Sequence, residues 1–352
     1  MKAALSKSLV LVVGAGGSKE VDLPLGSELK VAIARALSIR YEDGVRRVSG
    51  DGLIDSALRS VDRFAGGGGF NDFLHAARRI AGAMPQALSI DNFIDSHKGD
   101  GKIALCGKLA IVRAILDAER SSKLYIDRQN AYNKLPFENV GSTWFNVFFQ
   151  LVTENCHRDD LRERLSKVAI VTFNYDRCIE HYLYEGLQNY YGMPAEDAKA
   201  VLACLEIYHP YGSVGQLEWQ SLSGISFGGV LDEQKLVQLV GEIRTFTEGV
   251  DPKLGESNAI RTSLAQAKRI VFLGFAFHRL NMELLFEGPN TGAKLRRCPT
   301  YATSLGLSVA DVNLIANELS NLAMVHSDDL HLDNSMSCAE LLRKYWRSLS
   351  LI

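Results

Sequence analysis

The stretch Ser8-Leu9-Val10-Leu11-Val12-Val13-Gly14-Ala15-Gly16-Gly17-Ser18 constrains this chain more than any other. Its apolar, largely β-branched run reads as a buried strand. The run ends in three glycines and a serine, a tight turn at the carboxyl edge of a sheet. Glycine accepts positive φ and lets other groups approach the main chain closely. A turn of this kind, opening on a helix N-terminus, can hold phosphate through backbone N–H groups. The pattern stops short of G-x-G-x-x-G, because Lys19 stands at the sixth place. A tight turn without a ligand explains the glycines equally well, so both readings stay open at this point.

The rest of the chain repeats the strand signal. Apolar segments at 168–173, 205–208, 269–273, 299–303 and 323–326 read as further strands. Helical spacing marks 27–37, 51–63, 101–120, 176–187, 194–204, 233–246 and 257–267. Asn71 is the expected N-cap of a helix to Ile80, and Ser142 or Thr143 that of a helix reaching Val152. Ser308 and Asp311 resemble a capping box for a helix through Leu319, and 337–348 reads as a closing amphipathic helix. The aromatic stripe Trp144, Phe145, Phe148 and Phe149 reads as core. Residues 27–165 show almost no strand. Apolar strands alternating with helices predict an α/β chain, a mainly parallel, doubly wound sheet with a large helical insertion. The expected division is a core of 1–26 and 166–330, an insertion of 27–165 and a C-terminal helix of 331–352.

Composition narrows the function classes. The formal net charge of −2 over 352 residues leaves no footprint for a nucleic-acid backbone. No apolar run is long enough to span a bilayer. Lys2 and Lys7 precede only a short apolar run, which reads as the first strand rather than a signal peptide. The six cysteines, Cys106, Cys156, Cys178, Cys204, Cys298 and Cys338, form no C-x-x-C pair. Neither zinc nor another metal is expected, and small buried thiols in a reducing, cytoplasmic setting are.

Ligands of open α/β sheets bind beyond the carboxyl ends of the strands. The loops expected there, 14–18, 174–176, 209–213, 274–281 and 304–306, are each rich in glycine or polar groups. Together they point to a nucleotide or dinucleotide crevice. Asn174 and Asp176 either form a turn that caps the next helix or present an amide and a carboxylate to a ligand. His209, beside Gly212 and Ser213, is either structural or a general base for a ribose hydroxyl or water.

These loops in this order resemble the sirtuin-like domain of bacterial NAD-hydrolysing proteins, which are widespread in antiphage defence. The family includes the Thoeris effectors and sirtuin-like subunits paired with ATPases or short Argonautes. The resemblance rests on Gly14-Ala15-Gly16-Gly17-Ser18, Thr172-Phe173-Asn174-Tyr175-Asp176, His209 with Gly212-Ser213, Gly274-Phe275-Ala276-Phe277-His278 and Ala302-Thr303-Ser304. It implies a Rossmann-like NAD fold and an NAD glycohydrolase that makes ADP-ribose and nicotinamide, an NAD-depleting effector. It assigns Gly14–Ser18 to the pyrophosphate, Asn174 to water or ribose at the reacting carbon, and Asp176 to the nicotinamide amide. His209 would be the general base. Gly274, Thr303 and Ser304 would lie near the adenosine half, and Gly212, Ser213 and Phe275 are expected to bind the cofactor as well. NAD is then a substrate, and a homo-oligomer or an ATPase or Argonaute-type partner is expected, without direct contact to nucleic acid or membrane.

Two positions depart from the family pattern. The histidine usually found directly before Gly-Ser is Tyr211 here, with His209 two residues upstream. The Asp-Phe-Arg element of protein-deacylating sirtuins is replaced by Leu23-Pro24-Leu25-Gly26. The alternatives to hydrolysis are an NAD-dependent deacylase or ADP-ribosyltransferase and a non-catalytic sensor of NAD or ADP-ribose.

Overall fold

The computed structural model describes residues 7–127, 129–130, 133–245, 248, 256–287, 298–323 and 325–352. Its centre is a six-stranded, all-parallel sheet of β1 (Leu9–Val13), β4 (Val168–Thr172), β5 (Glu206–Tyr208), β6 (Ile270–Leu273), β7 (Thr300–Thr303) and β8 (Leu330–Asp333). A separate antiparallel hairpin joins β2 (Arg40–Glu42) to β3 (Arg46–Ser49). The sheet order is β5-β4-β1-β6-β7-β8. From β1 the chain builds outward to β4 and β5, then returns to the other side of β1 for β6, β7 and β8. This is the order of a Rossmann-like doubly wound sheet, and its direction of winding reverses between β1 and β6.

β1 lies at the middle because all five of its residues are buried. It pairs in parallel with β4, Leu9 opposite Val168 and Val13 opposite Thr172, and with β6, Val10 opposite Ile270 and Val13 opposite Leu273. Side chains alternate across a strand. Val10 and Val12 therefore enter one core with the helices Gly26–Leu37, Gly52–Phe64, Phe70–Ala83, Ile90–Ser96 and Gly101–Ser121. Leu9, Leu11 and Val13 enter the other with Trp144–Thr153, Leu161–Ser166, Cys178–Tyr191 and Cys338–Lys344. The expected insertion is thus shared between the two faces of the sheet.

Several local expectations are corrected. The last strand is Leu330–Asp333, not 323–326: Ala323 and Val325 are buried at the end of the helix Val309–Leu322 but belong to no strand. The 331–352 segment consequently begins in β8 and continues as two short helices, Cys338–Lys344 and Trp346–Leu349. The helix expected from Asn71 starts at Phe70, with Gly69 at its N-cap. Thr143 does hold the N-cap of Trp144–Thr153, but its hydroxyl donates to the Val140 carbonyl at 2.7 Å. The cap comes instead from Glu20, whose Oε2 accepts from Trp144 N–H at 2.6 Å. The hairpin of β2 and β3 lies within the stretch read as nearly strand-free. Phe246, the expected end of a helix from Glu233, and residues 1–6 lie outside the described residues; the helix itself spans Glu233–Leu239.

Candidate functional site

At the β1/β6 reversal two glycine loops pack main chain on main chain. Gly16 N–H donates to the Gly274 carbonyl at 3.0 Å, and Gly14 N–H to the Leu273 carbonyl at 3.0 Å. Gly274 has φ +56°, and a Cβ there would sit 2.1 Å from the Gly17 nitrogen; one on Gly14 would sit 2.6 Å from the Gly274 oxygen. No other residue fits this crossing. Trp144 holds the loop from beneath, its indole N–H donating to the Gly17 carbonyl at 2.9 Å. Residues 15–19 form one short helical turn.

Over this crossing lies a cavity of about 260 Å³. Gly14 and Ala15 line it after β1, Phe173 to Asp176 after β4, Tyr211 after β5, and Phe275, Ala276, His278, Leu280 and Asn281 after β6. The helical side closes it with Leu23, Pro24, Gly26, Leu29, Ile115 and the turn carrying Leu88, Ser89, Asp91, Asn92 and Asp95. Its aromatic wall is continuous: the Phe173 ring meets Tyr211 at 5.5 Å and Phe275 at 5.2 Å. Phe277 behind it takes φ +52°, a costly conformation for an aromatic residue, and packs 5.1 Å from Phe275.

Asn174 is a tightly held polar side chain of the cavity. It is 7% exposed, and its amide nitrogen donates to the Gly14 carbonyl at 3.0 Å and to Ser18 Oγ at 2.8 Å. Both amide hydrogens are thereby directed at the glycine loop. Oδ1 is left to accept from a ligand. Asp176 Oδ1 accepts from Cys178 N–H at 3.1 Å, so the carboxylate serves the helix start and lines the cavity together. Burial holds its pKa above the usual range despite that bond and one from Ser18.

His209 sits elsewhere. With Gly212 and Ser213 it lines a neighbouring cavity of about 450 Å³. Its Nε2 lies 2.7 Å from Glu180 Oε1 and its Nδ1 3.2 Å from the Asn174 main-chain oxygen. Two acceptors facing two ring nitrogens describe an imidazolium donating from both, which has no lone pair with which to act as a base. Burial alone would lower its pKa, but the Glu180 charge and hydrogen bond outweigh burial and raise it. Gly212, at φ +72°, meets the Glu242 carbonyl so closely that a Cβ would lie 1.8 Å from that oxygen. Thr303 and Ser304 also stand outside the main cavity. Thr303 Oγ1 accepts from Gly274 N–H at 2.8 Å, and Ser304 is buried with no partner for its hydroxyl.

The structure therefore brings together Gly14, Ala15, Asn174, Asp176 and Phe275 at the cavity. Gly16, Gly17, Ser18, Gly274 and Thr303 form its supporting layer, and His209, Gly212 and Ser213 stand behind Asn174. Tyr175, Tyr211 and Asn281 lie in loops expected at the crevice but were given no role there, and the acidic turn was missed altogether. Tyr175 donates its phenol hydrogen to Asp91 and Tyr211 to Asn281. Burial pushes the Asp91 carboxyl up to about 6. The Ser89 N-cap and the i, i+4 pairs Ile90/Ile94 and Asp91/Asp95 were a readable helix signal. Among the described residues no helix is long and apolar enough to cross a membrane. No family model matches the chain, and no curated protein matches it.

Proposed function

We propose that this chain is an NAD glycohydrolase, which breaks the bond between nicotinamide and ribose with water to give ADP-ribose and nicotinamide. The observation that carries the reading is Asn174. Its donors are fixed on the glycine loop, and its Oδ1 is left over the reversal point of a doubly wound sheet. An acceptor held this rigidly suits a water or a ribose hydroxyl. As the C–N bond opens, its electron pair goes to the nicotinamide nitrogen and positive charge develops on the ribose. Water then adds to that carbon, and its proton passes to a carboxylate of the lining. The cavity's 260 Å³ falls below the roughly 300–1,000 Å³ of typical small-molecule sites, a size for the nicotinamide-ribose half. The pyrophosphate would meet the loop at Ala15, because the N–H groups of Gly14, Gly16 and Gly17 are given to the carbonyls of Leu273, Gly274 and Gly14. His209 then acts through the Asn174 main chain as a positioning residue. In this reading, and by the resemblance, the chain is an NAD-depleting defence effector whose activity depends on self-assembly or on an ATPase or Argonaute-type partner.

The test is nicotinamide release from NAD by the pure chain, with and without candidate partners. Asn174→Ala should lower turnover by about a hundredfold or more, the scale of losing one oriented catalytic contact, while the melting temperature stays within a few degrees. NAD bound without turnover would mark a sensor, and transfer of acetyl or ADP-ribose to a peptide would mark a deacylase or transferase. Either would overturn the proposal.

A further inference from the structure

We infer that the acidic turn of the helix Ile90–Ser96 selects the charge of the ligand: Asp91, with Asp95 beside it, recognises the cationic nicotinamide ring and discriminates against its neutral, reduced form. The inference rests on the NAD reading and names what that reading leaves open. Three carboxylates, Asp91, Asp95 and Asp176, line the cavity. Among the described lining residues His278 is the one basic side chain, and no lysine or arginine is present. For the ring half of the ligand, such a lining favours a cation over a neutral group. The same cavity is lined by the rings of Phe173, Tyr211 and Phe275. A flat organic cation meets both needs, stacking on the rings while it faces the carboxylates.

Asp91 is placed for this role by its partner. Tyr175, the residue after Asn174, donates its hydroxyl to Asp91. The phenol ties the turn to the β4 loop. Asp95 stands one helical turn further along the same face. Burial disfavours an unneutralised Asp91, as its raised pKa reports. A cationic ligand relieves that penalty, and a neutral one does not.

The binding experiment uses the full chain carrying Asn174→Ala, so that NAD is not consumed. Affinities for NAD, NADH and ADP-ribose are measured by calorimetry with and without Asp91→Asn. NAD should bind about tenfold tighter than NADH, a modest figure for one charge pair at an effective dielectric of about 20. Asp91→Asn should bring the two within about threefold, leaving NADH and ADP-ribose affinities unchanged. Asp95→Asn, which leaves the Tyr175 bond intact, should narrow the preference in the same direction and decides the matter if Asp91→Asn does not fold. An unchanged preference, or an equal loss for all three ligands, overturns the inference. Selective binding of NAD by a wild-type chain that never releases nicotinamide leaves the inference standing and removes the hydrolase. No binding of NADH or ADP-ribose, and no binding or turnover of NAD, by the wild-type chain removes both.

Discussion

Asn174 and His209 show how two neighbouring polar residues divide their work. Asn174 looks into the cavity, and His209 looks at the main chain behind it, locked between Glu180 and the Asn174 carbonyl. The His209–Glu180 pair is buried, so each partner pays desolvation that the other's charge outweighs. His209 is raised from 6.5 and Glu180 lowered from 4.5. A raised histidine contributes stability that is complete below 6.5 and is lost as pH climbs through its folded value. A lowered glutamate contributes stability that is complete above 4.5 and is lost as pH falls through its folded value. The pair therefore stabilises most between these two ordinary values. Above 6.5 the wild type should lose melting temperature relative to the His209→Asn/Glu180→Gln double variant. Parallel melting curves across that range would show that His209 is not held as an imidazolium.

The element that ties the helical layer to the site is Gly101–Ser121. Near its end Glu119, fully buried, binds Arg177 through both carboxylate oxygens, at 3.1 Å to Nε and 2.5 Å to Nη2. The same carboxylate accepts from the N–H groups of Arg177 and Gly228, and Arg177 also donates to the carbonyls of Ile225 and Ser226. Breaking one partner of such a pair leaves a buried charge, costing about 3–5 kcal/mol. Glu119→Ala should show that loss in urea unfolding, and a loss under about 1 kcal/mol, the range of a surface pair, would mean the pair is open to water. This network also explains what the sequence could disclose. β1, β4 and β6 were legible because both their faces are covered, so their apolar runs are unbroken. The β2–β3 hairpin was not, because Arg40-Tyr41-Glu42 and Arg46-Arg47-Val48-Ser49 are mostly exposed and carry no apolar alternation. β8 was displaced to 323–326 because buried Ala323 and Val325 imitate a strand, whereas Leu330-His331-Leu332-Asp333 is only half-buried at the sheet edge. Asn174 could be placed because it lies just past a legible strand. Asp91 could not, since only tertiary packing carries its helix from the insertion to the strand ends. Glu119 and Arg177, far apart in sequence, were likewise invisible as a pair.

Across the whole molecule, the glycine loop and the residue after it are reached by an element from the middle of the chain and one from its C-terminal segment. Glu20, just after the loop, accepts from Trp144 N–H with one oxygen and from Ala339 N–H at 3.0 Å with the other. A single carboxylate thus caps two helices, one from the insertion and one from the C-terminal segment. Burial raises its pKa, against the pull of those same backbone N–H groups. Beyond Ala339, Leu341, Leu342 and Leu349 are fully buried in the core that holds Leu9, Leu11 and Val13. The Tyr345 ring packs 4.5 Å from Tyr301 of β7, and the Trp346 indole N–H donates to Glu154 at 3.0 Å. Burying each leucine contributes roughly 1.5–3 kcal/mol, and a domain's whole margin is only about 5–15 kcal/mol. The three leucines alone therefore rival the net stability. A chain ended at Asp333 should lose cooperative unfolding in circular dichroism and expose apolar surface to a reporter dye. Glu20→Gln, which keeps acceptance by its amide oxygen from one helix but cannot cap both, should remain folded with a lower melting temperature. If the shortened chain melts like the full one, the C-terminal segment is an accessory, and the core between β1 and the Trp144–Thr153 helix closes without it.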